Sequence, residues 1–199
     1  IYTLLAVIIP FTSSKTSNLL RCLHTLFGLT HITKRRFYTF MASSKIPWER
    51  LWHSVRNAIP APLTDGRLIV ALDDCINPKT GKKIFGCHRF FDHAAKCNQS
   101  PYPWAQNIVT AGLLAKIKGR WACLPLASRF YHPKKAFDQK EIRIGKKKLS
   151  FQTKLDQAVE MLHELYFAYR APLLVVADSW FGNNGLWAPL HKISGADCN

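Results

Sequence analysis

Acidic residues are scarce in this sequence. Twelve Asp and Glu stand against 28 Lys and Arg, giving a formal net charge of +16 over 199 residues. That balance is far from the near-neutral surface of an ordinary soluble enzyme, and it makes each carboxylate worth locating. Long apolar runs are also missing. Ile1 to Pro10 is apolar over a stretch much shorter than the roughly 20 residues that cross a bilayer. It has neither the basic n-region nor the small-residue cleavage site of a secretory signal, so neither a membrane span nor a signal peptide is expected there. Six cysteines are present, Cys22, Cys75, Cys87, Cys97, Cys123 and Cys198, but no C-x-x-C pair. The group Cys87, His88, His93 and Cys97 therefore lacks the knuckle spacing of a zinc site. With nothing else to mark a secreted chain, reduced thiols are expected. Internal repeats and low-complexity tracts are absent. The chain opens at Ile1 rather than Met and stops at Ser194-Gly195-Ala196-Asp197-Cys198-Asn199 without a closing element, so both ends read as those of a fragment.

What is present folds. Apolar residues make up 48% and aromatics 12% of the chain, too many for a disordered basic tail. At roughly 150 residues per domain, the length allows one domain, or one with a small appendage. A strongly basic globular chain points to a polyanion, either nucleic acid or an anionic membrane surface.

The first part is helical in pattern. Leu19, Leu20, Leu23, Leu26 and Phe27 follow helical spacing, and Gly28 is a natural stop. A second short helix is expected after Thr33, carrying Lys34, Arg35, Arg36, Phe37, Tyr38 and Phe40. A third is expected to be capped by Ser43 and Ser44, opened by Pro47, and run through Trp48, Leu51, Trp52 and Val55. Pro60-Ala61-Pro62 closes this part. Three short helices with a basic middle one suit a DNA-binding bundle of helix-turn-helix type; a helical subdomain with an aromatic core is the alternative.

From Asp65-Gly66 the pattern becomes extended. Leu68-Ile69-Val70-Ala71-Leu72 is a continuous apolar run suited to a strand buried on both faces, and it ends at Asp73-Asp74. Turn residues follow at 77–81, and Lys83 to Cys87 can return as the second strand of a hairpin. Asn107 to Leu114 and Trp121 to Phe130 flank a turn at Lys118-Gly119-Arg120, with helix still open for the first of the two. Phe151 to Tyr169 is the clearest helix, with apolar residues at 155, 158, 159, 162, 165 and 166 on one face. Pro172 ends it, and Leu173-Leu174-Val175-Val176-Ala177 is a second buried-strand pattern that again ends in an acid, Asp178. A last helix is expected over 185–192, weakened by Pro189. Three strands, a helix and a strand make the opening of an α/β, RNase H-like mixed sheet flanked by helices. The expected division is a helical subdomain over 1–62 and an incomplete catalytic core over 63–199 that lacks the C-terminal part of the fold.

The acids that close the two apolar strands carry the chemistry. A carboxylate at the end of a buried strand is costly unless it is paired, hydrogen-bonded or bound to a cation, and neither strand end has an adjacent Lys or Arg. On neighbouring strands Asp73 and Asp178 converge, and like charges that close either raise one pKa or recruit a divalent metal. Hard oxygen donors and a polyanionic substrate favour Mg²⁺ or Mn²⁺. Each aspartate alone has a plainer explanation, because Asp often follows a strand simply to cap a turn.

The segment Leu68 to Cys75, followed by Pro78-Lys79-Thr80-Gly81-Lys82-Lys83-Ile84-Phe85-Gly86, resembles the first catalytic block of the DDE transposases of bacterial insertion sequences, in the DDE endonuclease superfamily. The similarity continues through Arg89-Phe90-Phe91-Asp92-His93, Asn98-Gln99-Ser100, Trp104 and Gly119 to Leu126. Val175 to Asn183 is similar to the second block. This resemblance implies Asp73 and Asp178 as the first and second catalytic acids and metal ligands, with Asp74 as the alternative if the register slips by one. Cys75 stands where the family usually has Thr. The third acid, a glutamate set in a Tyr, Arg, Glu, Lys pattern, has no counterpart, because Asp197 is the only carboxylate after Asp178. The resemblance implies metal-assisted DNA cleavage and strand transfer at element ends, a duplex DNA partner, compatibility with a homodimer, and a bacterial cytoplasm and nucleoid setting. A chain short of one acid is expected to be inactive alone, and a DNA-binding regulator derived from a transposase is the alternative. A small-phosphoester metal hydrolase is a third reading.

Seven cations lie among residues 134–148: Lys134, Lys135, Lys140, Arg143, Lys146, Lys147 and Lys148. A loop of this kind can contact phosphates and make binding steeply salt-dependent; a solvated charged loop is the plain alternative. Lys34, Arg35 and Arg36 are the preferred site for recognising DNA ends. Trp180 and Trp187 suit core packing better than base stacking.

Overall fold

The computed structural model describes residues 16–41, 43, 48–81 and 84–194. Ile1 to Pro10, Ser44, Pro47, Lys82, Lys83, Asp197 and Cys198 lie outside the described residues. The chain divides into two compact units, Ile1–Ile46 and Pro47–Asn199.

In the first unit, helices α1 (Thr16–Thr25) and α2 (Lys34–Met41) bury Leu19, Cys22, Leu23 and Phe37 against Leu20, Phe27, Leu29, Ile32 and Met41. Past the end of α1, Gly28 takes a left-handed φ of 63°, and the Leu29 amide donates back to the Leu23 carbonyl at 3.0 Å. The His24 imidazole donates to the Ile32 carbonyl at 2.7 Å, tying the connection down. Residues 26–33 join the two helices, a longer link than the three- or four-residue turn of a helix-turn-helix, so this pair does not make that motif.

The third helix, α3 (Trp48–Asn57), belongs to the second unit. Its Arg56 Nε donates to the Leu126 carbonyl at 3.3 Å, and the guanidinium faces Glu164 at 3.6 Å. Those contacts tie the helix to the unit that begins at Pro47.

The second unit is a mixed sheet with α helices. Strand β1 (Leu68–Pro78) is antiparallel to β3 (Trp104–Ile117) and parallel to β7 (Leu173–Ala177). The other side of β3 is shared by β2 (Cys87–Arg89) and β4 (Arg120–Tyr131). The expected hairpin between the first strand and Cys87 is not formed: β1 runs on through Asp73 and Asp74 to Pro78, and β2 pairs with β3 instead. The extended alternative holds for Asn107 to Leu114. Here β3 and β4 turn over at Lys118 and Gly119, both with positive φ (49° and 79°), the pair of values a two-residue hairpin turn of matching twist requires.

Helix α5 (Lys154–Tyr169) covers one face of the sheet. Thr153 caps it reciprocally: its hydroxyl accepts from the Asp156 amide at 3.1 Å, and its own amide donates to Asp156 Oδ2 at 2.8 Å. Arg170 ends it in the left-handed region, just before Ala171-Pro172. Ala158, Val159, Met161, Leu162 and Leu165 pack on Leu68, Val70, Leu72, Val109, Ala111 and Leu113. Met161 takes the buried place expected of Tyr166, which is partly exposed. The last helix, α6 (Asn184–Ser194), contains Pro189 and continues through it. An interior proline costs about 3 kcal/mol, comparable to the roughly 1.5–3 kcal/mol gained by burying one leucine. Leu186 is fully buried and Leu190 packs on the same core, so packing outweighs the break. Gly185 permits this approach, since a Cβ there would lie 2.7 Å from Leu155 Cδ1.

Strand β7 departs from the expectation of burial on both faces. It pairs with β1 along one side, and Leu174 and Val176 are 43% and 48% exposed on the face away from α5. The basic segment is not an open loop. It folds as a short helix α4 (Lys134–Gln139) and a hairpin of β5 (Arg143–Ile144) and β6 (Lys147–Lys148).

Candidate active site

Alternation along β1 sets where its two aspartates point. Leu68, Val70 and Leu72 face the α5 core, and Asp74 continues that side, whereas Asp73 lies on the other face and is exposed. At the start of α5, Lys154 places its Nζ 2.8 Å from Asp74 Oδ2, and both side chains are about four-fifths buried. The same ammonium lies 5.1 Å from the centre of the Trp180 ring and 5.5 Å from that of Tyr131. Sequence reasoning missed this contact because the cation comes from 80 residues away. The signal that could have found it is the Thr153-x-x-Asp156 capping box, which fixes where α5 begins and so which lysine leads it.

The parallel register of β1 and β7 ends at Leu72 opposite Ala177. The next residue on each strand is an acid, so Asp73 and Asp178 occupy corresponding positions on adjacent strands. Asp178 opens a tight turn: its Oδ1 accepts from the amides of Trp180 (3.1 Å) and Phe181 (3.3 Å). Phe181 is buried in the core and anchors that turn. The plain role of capping a turn is therefore observed for Asp178, and one carboxylate oxygen performs it. Asp73 Oδ1 accepts from the Asp74 amide at 2.8 Å. Among the described residues neither Asp73 nor Asp178 forms an ion pair, unlike Asp74. Across the sheet from Asp73 stands Thr110, whose hydroxyl is 3.4 Å from that of Ser128. Cys75 follows on β1, and its thiol is pushed up by burial first, then by the charges of Asp74 and Asp73.

Lys154 thus touches the residue after Asp73 and the residue two after Asp178. Its side chain therefore lies between β1 and the turn that follows β7. Among the described residues no three His, Cys, Asp or Glu side chains gather closely enough to hold a metal by themselves. What the sheet offers is two acidic side chains on neighbouring strands.

The remaining candidates lie elsewhere. Lys34, Arg35 and Arg36 are exposed along α2 of the first unit, behind which Phe37 is buried. Thr33 caps that helix, its hydroxyl accepting from the Arg36 amide at 3.2 Å. In the second unit Lys146, Lys147 and Lys148 are exposed on the β5–β6 hairpin. Glu141 pairs with Arg143 and with Lys148 (3.2 Å), and those hydrogen bonds, Arg143's first, hold its carboxyl below the usual range. Cys87 is buried and Cys97 exposed, and Cys22, Cys75, Cys87, Cys97 and Cys123 are free thiols. Trp180 is half exposed rather than packed into the core.

A histidine pair that sequence reasoning did not single out sits between β2 and β4. His88 Nε2 and His132 Nδ1 are 3.0 Å apart, ringed by Phe85, Phe90 and Phe137. His132 is only 4% exposed, and burial, then His88, then Lys140 lower its pKa to about 4.

Compared with known families, residues 21–194 match the family described as DDE superfamily endonuclease. No curated protein and no solved structure gives a significant match. Among the described residues no helix is long and apolar enough to cross a membrane.

Proposed function

The chain belongs to the DDE superfamily of endonucleases, and from that premise we propose that Asp73 and Asp178 are its first two catalytic acids, holding Mg²⁺ or Mn²⁺ for phosphoryl transfer on DNA. The observation that supports this is the β1–β7 register, which ends at Leu72 opposite Ala177 with an acid next on each strand; among the described residues neither acid forms an ion pair. Asp74 is set aside because Lys154 already neutralises it.

The donor set suits a hard cation that keeps much of its water and meets phosphate oxygens as further ligands. A bound divalent ion supplies charge neutralisation of the phosphate and an activated oxygen nucleophile. The chain's own part is to fix the two carboxylates. Asp178 is held by its turn amides and Asp73 by the Asp74 amide, while Lys154 pairs with Asp74 and lies over the Trp180 ring. The exposed hairpin lysines Lys146, Lys147 and Lys148 would contact backbone phosphates. Lys34, Arg35 and Arg36 on α2 would contact the DNA of the element ends.

Two acids leave the chemistry one short. A two-metal transfer needs ions about 3.5–4 Å apart with enough carboxylates to hold both. Beyond Asp178 only Asp197 remains. We therefore expect these 199 residues to bind duplex DNA at the ends of a bacterial mobile element and at its target, and not to cut it unaided. Homodimers on paired ends and a nucleoid location belong to the same proposal. A non-catalytic DNA-binding regulator is the second reading.

Mobility-shift and nicking assays on one DNA fragment test the proposal together. Expected are a shift that weakens steeply with salt and no Mg²⁺-dependent nick. Failure to bind duplex DNA at low salt would overturn it, and nicking that survives Asp73→Asn and Asp178→Asn would overturn the assignment of the acids.

A further inference from the structure

Between β2 and β3 the chain folds residues 90–103 into an ordered arm. Its two sides are joined by backbone hydrogen bonds from Phe90 to Pro103 (3.3 Å) and from Asp92 to Pro101 (2.8 Å). The tip is held internally: the Ala95 amide donates to the Asp92 carbonyl at 3.2 Å, the Ala94 amide to Asp92 Oδ1 at 3.0 Å, and the Gln99 amide to the Lys96 carbonyl at 2.8 Å. At the base, Arg89 donates to the Tyr102 carbonyl at 3.1 Å.

A backbone this well satisfied could carry any side chains, yet it displays rings. Phe90 is buried, whereas its neighbour Phe91 is 48% exposed and Tyr102 is 53% exposed. The Phe91 ring centre lies 4.6 Å from that of His93 and 5.3 Å from that of Tyr102, so the three rings form one surface patch. Arg89, which donates to the Tyr102 carbonyl, is exposed, as is Lys96 at the tip of the same arm.

Two rings and an imidazole are far smaller than the roughly 800 Å² per partner that a stable protein interface buries. They are the size of single bases. Every base has a π-face, and stacking on an aromatic side chain contributes about 5- to 150-fold in affinity per base. The flanking cations complement the strand's phosphates rather than a second copy of a chain with net charge +16.

We propose that Phe91 and Tyr102 form a stacking platform for unpaired bases of a DNA strand, with Arg89 and Lys96 meeting the neighbouring phosphates. This rests on the reading of the chain as a DNA-acting protein and adds the class of DNA it grips, a strand with bases out of the duplex.

The test compares the full chain with Phe91→Ala, Phe91→Trp and Tyr102→Ala on two probes, a blunt duplex and the same duplex carrying a single-stranded tail with 2-aminopurine. Binding is followed by anisotropy, and stacking by quenching of the 2-aminopurine. The alanine variants should lose at least about 5-fold in affinity for the tailed probe, lose the quenching, and bind the blunt duplex as before. Phe91→Trp should keep both. Both rings being exposed, melting temperatures should not move, which separates lost stacking from lost folding. Unchanged tail binding, equal loss on both probes, or a variant that instead dissociates a dimer in sedimentation would overturn the platform. Failure of the wild-type chain to bind the blunt duplex would overturn the DNA reading itself.

Discussion

Asp73 and Asp74 are adjacent and chemically identical, yet the sheet gives them opposite surroundings, and removing each charge should show it. Asp74→Asn leaves Lys154 Nζ without the carboxylate 2.8 Å away, in a pair whose side chains are only 19% and 21% exposed. Breaking a fully buried pair costs about 3–5 kcal/mol, and a surface pair is worth at most about 1 kcal/mol. This pair lies between, and the asparagine oxygen still accepts a hydrogen bond, so about 2 kcal/mol is expected. For a unit of this size, each kcal/mol moves the melting temperature by about 2–4 °C, so the shift should be roughly 4–8 °C downward. Asp73→Asn breaks no ion pair and removes a negative charge from beside Asp178. Its stability should stay within about 0.5 kcal/mol of wild type, and any change should be a gain. Thermal melts in chelator at neutral pH measure both. Equal losses from the two substitutions, or a larger loss from Asp73→Asn, would refute the assignment of faces.

The buried histidine pair makes stability sensitive to acid. His132 has its folded pKa lowered to about 4, below the unfolded value of about 6.5, so the unfolded chain binds the extra proton in that interval. Stability should be fully present above about pH 6.5 and fall by up to about 3 kcal/mol as pH drops towards 4, read from urea midpoints; a flat profile over that range contradicts the burial of His132. Replacing Lys146, Lys147 and Lys148 by alanine should reduce the slope of log affinity against log salt by about 1 to 3, measured on duplex DNA, and an unchanged slope removes the hairpin from the interface. Thr153→Ala should cost about 1 kcal/mol through the lost cap of α5, measured by urea unfolding.

Much of the fold was legible because its signals are local. The apolar periodicity from Leu155 to Leu165, the Pro172 stop and the two apolar runs ending in acid located α5, β1 and β7. The part that was not legible depends on pairings distant in sequence. Nothing near Asp74 announces Lys154, and nothing near Lys83 says that β1 prefers 105–113 to a hairpin partner. Trp48 to Asn57 has the composition of its helical neighbours, yet it belongs to the sheet unit, where Arg56 contacts Leu126 and Glu164. At the site, the parallel pairing of the two strands that end in acid followed from strand order, but the different company of the aspartates did not. The Asp178 turn cap is local and was the plain expectation for an acid after a strand, whereas the Asp74 ion pair emerges only when β1 and the first turn of α5 meet.

Titration of Mn²⁺ followed by electron paramagnetic resonance tests the shared carboxylate site most directly. The account predicts that wild type binds the ion, that Asp73→Asn and Asp178→Asn each weaken it by at least about 10-fold, roughly 1.4 kcal/mol, and that Asp74→Asn retains it. Wild-type affinity in both Asp73→Asn and Asp178→Asn, or loss confined to Asp74→Asn, would contradict it.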